Sequence, residues 1–207
     1  MVRLCCCYYC CHHSRRRSSS SSPPTRYAEG IFVETIGDGG SITNSAKIVA
    51  TAEADASWSA SAYGIDVNAL KSGGSISNSG LIEATAEVYS SGSAFAFGIN
   101  VKTLESGGSI TNSGEIVASA TATDSAEANA YGINVSTLAS GGSITNSGTI
   151  EAEARAYDSS SSSYSSTGTA YGIYVGDAAG NIENSGNISA NADSYARGIY
   201  VNGTLTA

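Results

Sequence analysis

The stretch Ser140–Gly148, S-G-G-S-I-T-N-S-G, decides the reading of this chain because near copies of it recur along most of the sequence. Its Ile-x-Asn centre falls at Ile42/Asn44, Ile76/Asn78, Ile110/Asn112, Ile144/Asn146 and Ile182/Asn184, at intervals of 34, 34, 34 and 38 residues. A second landmark, Gly-Ile-x-Val, occurs at Gly30–Val33, Gly64–Val67, Gly98–Val101, Gly132–Val135, Gly172–Val175 and Gly198–Val201. From each of these glycines to the next Asn the distance is 14 residues four times and 12 once. From each Asn to the next such glycine it is 20, 20, 20, 26 and 14. One half of the unit is nearly constant in length and the other varies in steps of six.

A period of 34 also belongs to helix-turn-helix repeats. The residue types exclude them: each unit is full of Gly, Ser and Asn, and no apolar i, i+3, i+4 stripe is present. Ile and Val are instead spaced by two, as strands require. Four residues after each Asn stand Ile48, Ile82, Ile116, Ile150 and Ile188. Six and eight after it stand only alanines, Ala50 and Ala52 in the first copy and Ala190 and Ala192 in the last. The alternate positions are mixed and mostly polar, which predicts a strand with one buried and one solvated face.

Counting back from each Gly-Ile-x-Val, a return strand follows the same rule, with Ala28, Ala62, Ala96, Ala130, Ala170 and Ala196 two residues before the glycine. Two Ala-lined strands facing one another predict a thin fin, and a fin lengthens only if both arms grow, hence the even steps. Its longest tip, Asp158–Ser166, reads as a Ser-rich surface loop. At the glycine the apolar parity switches, since Ala62 is followed by Ile65 and Val67. A bulge at Gly64 accounts for that. The Ile and Val columns, with Leu70, Leu104 and Leu138, predict a thicker core. Gly-Gly at 39–40, 73–74, 107–108 and 141–142 predicts a corner with positive φ.

Together these features predict an all-β, single-stranded parallel β-helix of about five coils of ~34 residues with an Ala-lined fin. At ~4.8 Å per coil it is a rod roughly 24 Å long. Stacked coils bring Asn44, Asn78, Asn112, Asn146 and Asn184 into one column. An amide both donates and accepts, so such a column predicts a structural Asn ladder. Asn also suits the left-handed backbone of a sharp corner.

The repeats carry the acidity. The net charge of −8 conceals a basic segment, since residues 1–25 hold Arg3, Arg15, Arg16 and Arg17 and no acid, leaving −12 on residues 26–207. An acidic solenoid repels phosphate backbones, which argues against nucleic acid as a partner. All five cysteines (Cys5, Cys6, Cys7, Cys10, Cys11) and both histidines (His12, His13) also lie in residues 1–25. Structural zinc sites use separated ligand pairs, which this run lacks, so no metal is expected. Nor does the run read as a signal peptide, being too short and mixed in its apolar part. Residues 1–25 read as an irregular Cys/Arg/Ser-rich tail, disordered or a mis-called start, and residues 26–207 as a parallel β-helix repeat domain that is a fragment. No stretch of the chain is apolar enough for a membrane-spanning helix.

Chemistry has little to rest on in the repeats. They contain no His and no Cys, so nucleophile–imidazole pairs are excluded there. Glu53 and Glu87 share a column in adjacent coils, a spacing of ~5 Å that would suit a retaining glycosidase. That column continues as Thr121, Arg155 and Asp193, which reads as a solvated face rather than a paired-carboxylate site. No cofactor is called for, and the chain is expected not to be an enzyme. The outward candidate is aromatic: Tyr63, Phe97, Tyr131 and Tyr171 each precede a parity-switching glycine, with Arg197 in the last copy. Such a row can serve as a surface contact row or as a ladder shielding the bend.

Repeats of the form G-x-I-x-N-S-G-x-I-x-A-x-A…A-Y-G-I-x-V resemble the passenger domains of bacterial autotransporters and related β-helix repeat proteins, over about Arg26–Ala207. The resemblance implies a right-handed β-helix, the hand the general crossover preference also favours. It further implies an extracellular or outer-membrane surface location and a structural or adhesin-like role, with a host or matrix glycan or protein as partner. No counterpart of that family's translocator barrel is found in the sequence. Carbohydrate-active β-helix enzymes share the scaffold and form the alternative. A third reading is end-to-end self-association into a fibre, since both ends of the repeat stop without a cap.

Overall fold

The computed structural model describes residues 25–55, 58–89, 91–124, 127–157 and 167–203. The Cys/His cluster, the proposed fin tip at Asp158–Ser166 and most of the basic tail lie outside the described residues. Each coil contributes three strands. The first comprises β1 (Thr25–Ile36), β2 (Ser41–Asn44) and β3 (Lys47–Ala54), and the second β4 (Ser59–Leu70), β5 (Ser75–Asn78) and β6 (Leu81–Val88). Then come β7 (Ala94–Leu104), β8 (Ser109–Asn112) and β9 (Glu115–Thr123), followed by β10 (Glu127–Leu138), β11 (Ser143–Asn146) and β12 (Thr149–Tyr157). The last three are β13 (Thr167–Ala178), β14 (Asn181–Asn184) and β15 (Asn187–Ala192), and β16 (Tyr195–Val201) opens a further turn.

Like strands stack on like, all in parallel. One sheet runs β1-β4-β7-β10-β13-β16, a second β2-β5-β8-β11-β14 and a third β3-β6-β9-β12-β15. The register joins equivalent repeat positions: Ile76 pairs with Ile110, Asn78 with Asn112, Ala84 with Ala118 and Ile99 with Ile133. This is the β-solenoid that the 34-residue columns predict.

Two cores run the length of the rod. The alanines of the third sheet pack against those of the first, in a cluster that includes Ala84, Ala86, Ala118, Ala120, Ala94, Ala96, Ala128 and Ala130, all fully buried. The Ile, Val and Leu columns form the separate thicker cluster, to which Ile65, Val67, Leu70, Ile76 and Ile82 of the second coil belong. Burying each of these larger side chains contributes about 1.5–3 kcal/mol, whereas an alanine contributes the order of one methyl group, ~0.8 kcal/mol. Most of the apolar driving force therefore lies in the thick half, and the fin depends on close approach and on its ladder hydrogen bonds.

The return strand and the Ile-x-Val strand are one continuous strand in each coil, not two. In β4 both Gly64 and Ile65 face inward in succession, so the parity switch takes place inside the strand. Space shows why the residue is glycine: at Gly98 a Cβ would meet the Ile116 Cγ2 methyl and lie 2.6 Å from the carbonyl oxygen of Gly132. The Gly-Gly corner behaves as its sequence predicts, with positive φ at Gly39, Gly73, Gly107 and Gly141. The Asn corner does not. Among the described residues, Asp124 is the only non-glycine with positive φ, so no Asn of the ladder adopts the left-handed backbone. The amide side chain does the work there instead, reaching to the backbone two residues on, as Asn78 Nδ2 does in donating to the Gly80 carbonyl at 3.1 Å.

Candidate functional site

The Asn column is a continuous ladder. Asn44 Nδ2 donates to Asn78 Oδ1 at 2.7 Å, Asn78 to Asn112 at 2.8 Å, Asn112 to Asn146 at 2.7 Å and Asn146 to Asn184 at 2.8 Å. Each interior amide also donates to backbone carbonyls, as Asn112 does to Gly114 at 3.3 Å and Thr149 at 3.2 Å. Asn78, Asn112 and Asn146 are completely buried, and Asn44 nearly so. Asn184, in the last full coil, is exposed. Buried amides with every rung occupied hold a corner together; nothing of them is presented to a ligand.

Aromatic side chains gather on the outward face of the first sheet. Tyr63 and Phe97 stack with ring centroids 4.9 Å apart and planes 4° from parallel, and Phe97 stacks on Tyr131 at 4.9 Å and 7°. Tyr131 stacks on Tyr171 at 5.4 Å. The row proposed from the sequence is thus brought together in full. Because the rings stack along the rod axis, the faces between neighbouring rings cover one another. A sugar ring that stacks on an aromatic needs an open face, so the interior of this row suits edge and hydrogen-bond contacts better.

Beside it runs a second ladder that the repeat columns conceal. Asn134 Nδ2 donates to Asn100 Oδ1 at 2.6 Å, and Asn100 Nδ2 donates to Asp66 Oδ1 at 2.7 Å. The same column opens with Phe32 and closes with Tyr174 and Tyr200. Its identities change from coil to coil, so no repeat search marks it; the visible signal is the variable x of Gly-Ile-x-Val. The bulge at the glycine lets this column and the ring column share one face. Tyr174 accordingly meets Tyr131 edge-on at 5.8 Å, and Tyr200 stacks on Tyr171 at 5.4 Å. The Arg197 guanidinium lies over the Tyr200 ring at 4.2 Å and ends the stack.

The electrostatics follow from partial burial. Desolvation pushes the Tyr63 phenol up to about 12, with the Asp66 carboxylate adding to it. Desolvation also pushes Tyr131 up to about 12 and raises Tyr171, against which Arg197 acts. Asp66 is raised by burial, while the bond from Asn100 opposes the rise. The face thus combines partly buried phenols and amides with the Asp66 carboxyl, and carries the Arg197 guanidinium at its end.

Glu53 and Glu87 are register partners, and Glu87 is followed by Thr121, which pairs with Arg155. Glu87 accepts a hydrogen bond from Tyr89, which pushes that phenol up to about 12. Arg155 is bonded to Glu153 and Tyr157. Asp193 Oδ2 accepts from the Ala156 backbone N–H at 2.7 Å. An open cleft beside Glu53 is lined by Arg26, Asp55 and Trp58, with the Arg26 guanidinium 4.8 Å over the Trp58 ring. Among the described residues no group of three or more His, Cys, Asp or Glu is placed to hold a metal, and no helix is long and apolar enough to cross a membrane. Compared with family models, with curated proteins and with solved structures, the chain matches none.

Proposed function

We propose that this repeat domain is a non-enzymatic structural segment displayed on the cell surface or secreted, with adhesin-like work. It is a rod that carries a contact face for a host or matrix protein or glycan. The observation that carries the reading is the side-by-side pairing of the Tyr63/Phe97/Tyr131/Tyr171 row with the Asp66/Asn100/Asn134 ladder. Aromatic edges, phenols and amides along a rigid line offer apolar area and hydrogen bonds at little conformational cost, which suits binding. The surface location rests on the likeness of the N-S-G, Ala-alternation and G-I-x-V pattern to exported β-helix passengers.

The test is a binding panel of extracellular-matrix proteins and glycans probed with the chain and with a Tyr131→Ala/Asn134→Ala variant. A ligand whose affinity falls at least about tenfold in the variant supports the contact face. Binding that is unchanged by the double substitution removes this face from the account. The register pair Glu53/Glu87 keeps a glycosidase as the second reading. Incubation with a polysaccharide panel decides it: turnover abolished by Glu53→Gln or Glu87→Gln would overturn the non-enzymatic assignment.

A further inference from the structure

Four phenols converge on the outward face of the first sheet, where β10, β13 and β16 lie side by side. Tyr131 and Tyr171 are register partners in parallel strands, with ring centroids 5.4 Å apart and planes 23° from parallel. Tyr174 meets Tyr171 at 5.2 Å and Tyr131 at 5.8 Å, both edge-on. Tyr200 lies 5.4 Å from Tyr171 and 5.6 Å from Tyr174. All four side chains are half-buried, so the group is packed yet open to solvent on one side. Toward the second coil it stops at Phe97, which stacks 4.9 Å from both Tyr63 and Tyr131 but carries no hydroxyl. Packing alone explains a row of rings. Adjacent phenols add something that packing does not need: they lose an electron more readily than any other ring here except the indole, and two oxidised phenols in contact can bond.

We propose that Tyr131 and Tyr171 form an oxidative coupling site, at which a phenol–phenol cross-link joins the fourth coil covalently to the fifth. The oxidant is hydrogen peroxide acting through a haem peroxidase. Each phenol gives up one electron and one proton, and the two phenoxyl radicals pair through their ortho carbons to form one C–C bond. The hydrogens on the joined carbons then move to the oxygens, which restores both phenols. The two electrons and two protons reduce one peroxide to two waters. Geometry selects this pair. Register partners in parallel strands project in the same direction, so stacking sets like atoms over like and turns ortho carbon toward ortho carbon. Tyr174 stands at 88° to Tyr131, where no such alignment exists. Holding the two rings in contact replaces an encounter between molecules by a step within one. The residues are 40 positions apart in sequence, so the link constrains the unfolded chain as a disulfide of that span does. The site shares two residues with the contact row, but its chemistry needs no ligand and does not depend on the contact-face reading.

The experiment treats the 207-residue chain, with its cysteines alkylated, with hydrogen peroxide and a haem peroxidase at about 1 µM protein, where steps within one molecule outrun encounters between two. The expected product is a monomer with dityrosine fluorescence. Its tryptic map should join the peptide 103–155, whose one tyrosine is Tyr131, to the peptide 156–197 through Tyr171. Tyr171→Phe keeps a ring in the stack and removes the phenol, so the monomeric yield of links from the Tyr131 peptide should fall at least about tenfold. Phe97→Tyr supplies the missing hydroxyl between Tyr63 and Tyr131, and should add a link through position 97 to one of them with the circular dichroism spectrum unchanged. A gained link cannot come from a folding defect. Coupling only between molecules, a monomeric link that bypasses Tyr131 or Tyr171, an undiminished yield in Tyr171→Phe, or no link through position 97 in Phe97→Tyr would each overturn the proposal.

Discussion

Asn112→Ala tests the physical basis of the rod at its middle rung. Asn112 is fully buried, accepts from Asn78 at 2.8 Å and donates to Asn146 at 2.7 Å, Thr149 at 3.2 Å and Gly114 at 3.3 Å. Truncation removes all four contacts. The orphaned Asn78 amide keeps its bonds to the Gly80 and Glu115 carbonyls, both at 3.1 Å, so its loss is partial. Asn146 Oδ1 loses the donor that faces it inside a sealed corner. One fully orphaned buried acceptor and weakened satisfaction of its neighbours cost about 1–3 kcal/mol. In a solenoid the break also weakens the coupling of coils on both sides. In urea, with a slope of about 2–3 kcal/mol/M, a cost of ~2 kcal/mol lowers the unfolding midpoint by somewhat under 1 M. Asn184→Ala is the control, because Asn184 is exposed and has one ladder neighbour; its midpoint should shift by a small fraction of that. Equal shifts for the two variants, or no shift for Asn112→Ala, would refute the buried ladder as a stabilising element.

Two further outcomes follow from local geometry. Gly98→Ala should destabilise by about 2–4 kcal/mol, because the new methyl collides with Ile116 and with the Gly132 carbonyl at 2.6 Å. Gly198→Ala, in the same column but with its nearest neighbour, Ile188 Cγ2, at 3.7 Å, should stay within about 0.5 kcal/mol in the same thermal or urea measurement. Burial pushes Tyr63 and Tyr131 up to about 12, so the folded state favours their neutral forms. Their contribution is complete below the unfolded phenol value of about 10 and is lost as pH rises from there through 12. Phenolate absorbance in Tyr89→Phe, which removes the surface phenol held by Glu87, should show late-ionising phenols in the folded protein, Tyr63 and Tyr131 among them, that ionise earlier on unfolding. Absence of any late-ionising phenol in the folded protein would contradict it.

The legible part of this molecule was what two periodicities record along a line. A period of 2 marks which side of a strand is buried, and a period of 34 marks which residues stack. From these the solenoid, the Ala fin, the thicker Ile/Val/Leu core, the Gly-Gly corner and the Asn column could be read, because each depends on identity repeated at fixed spacing. The ring row was legible for the same reason, since Tyr63, Phe97, Tyr131 and Tyr171 keep one character in one column.

What the tertiary structure decided lies between columns. The bulge at Gly64 and its equivalents places the Asp66/Asn100/Asn134 column beside the rings, a relation across strand parity that no spacing encodes. Only the fold shows that the ring faces are spent on each other, since ring orientation follows from packing and not from position. The Asn corner is turned by side-chain amides and not by left-handed backbone, because a buried amide with three acceptors within reach holds the turn without strain. The opening stretch Ser140–Gly148 thus determined that coils form and stack, through glycine freedom and amide pairing written into every repeat. The side-by-side placement of the ring row and the Asp66/Asn100/Asn134 column was settled by three-dimensional juxtaposition, which no single column records.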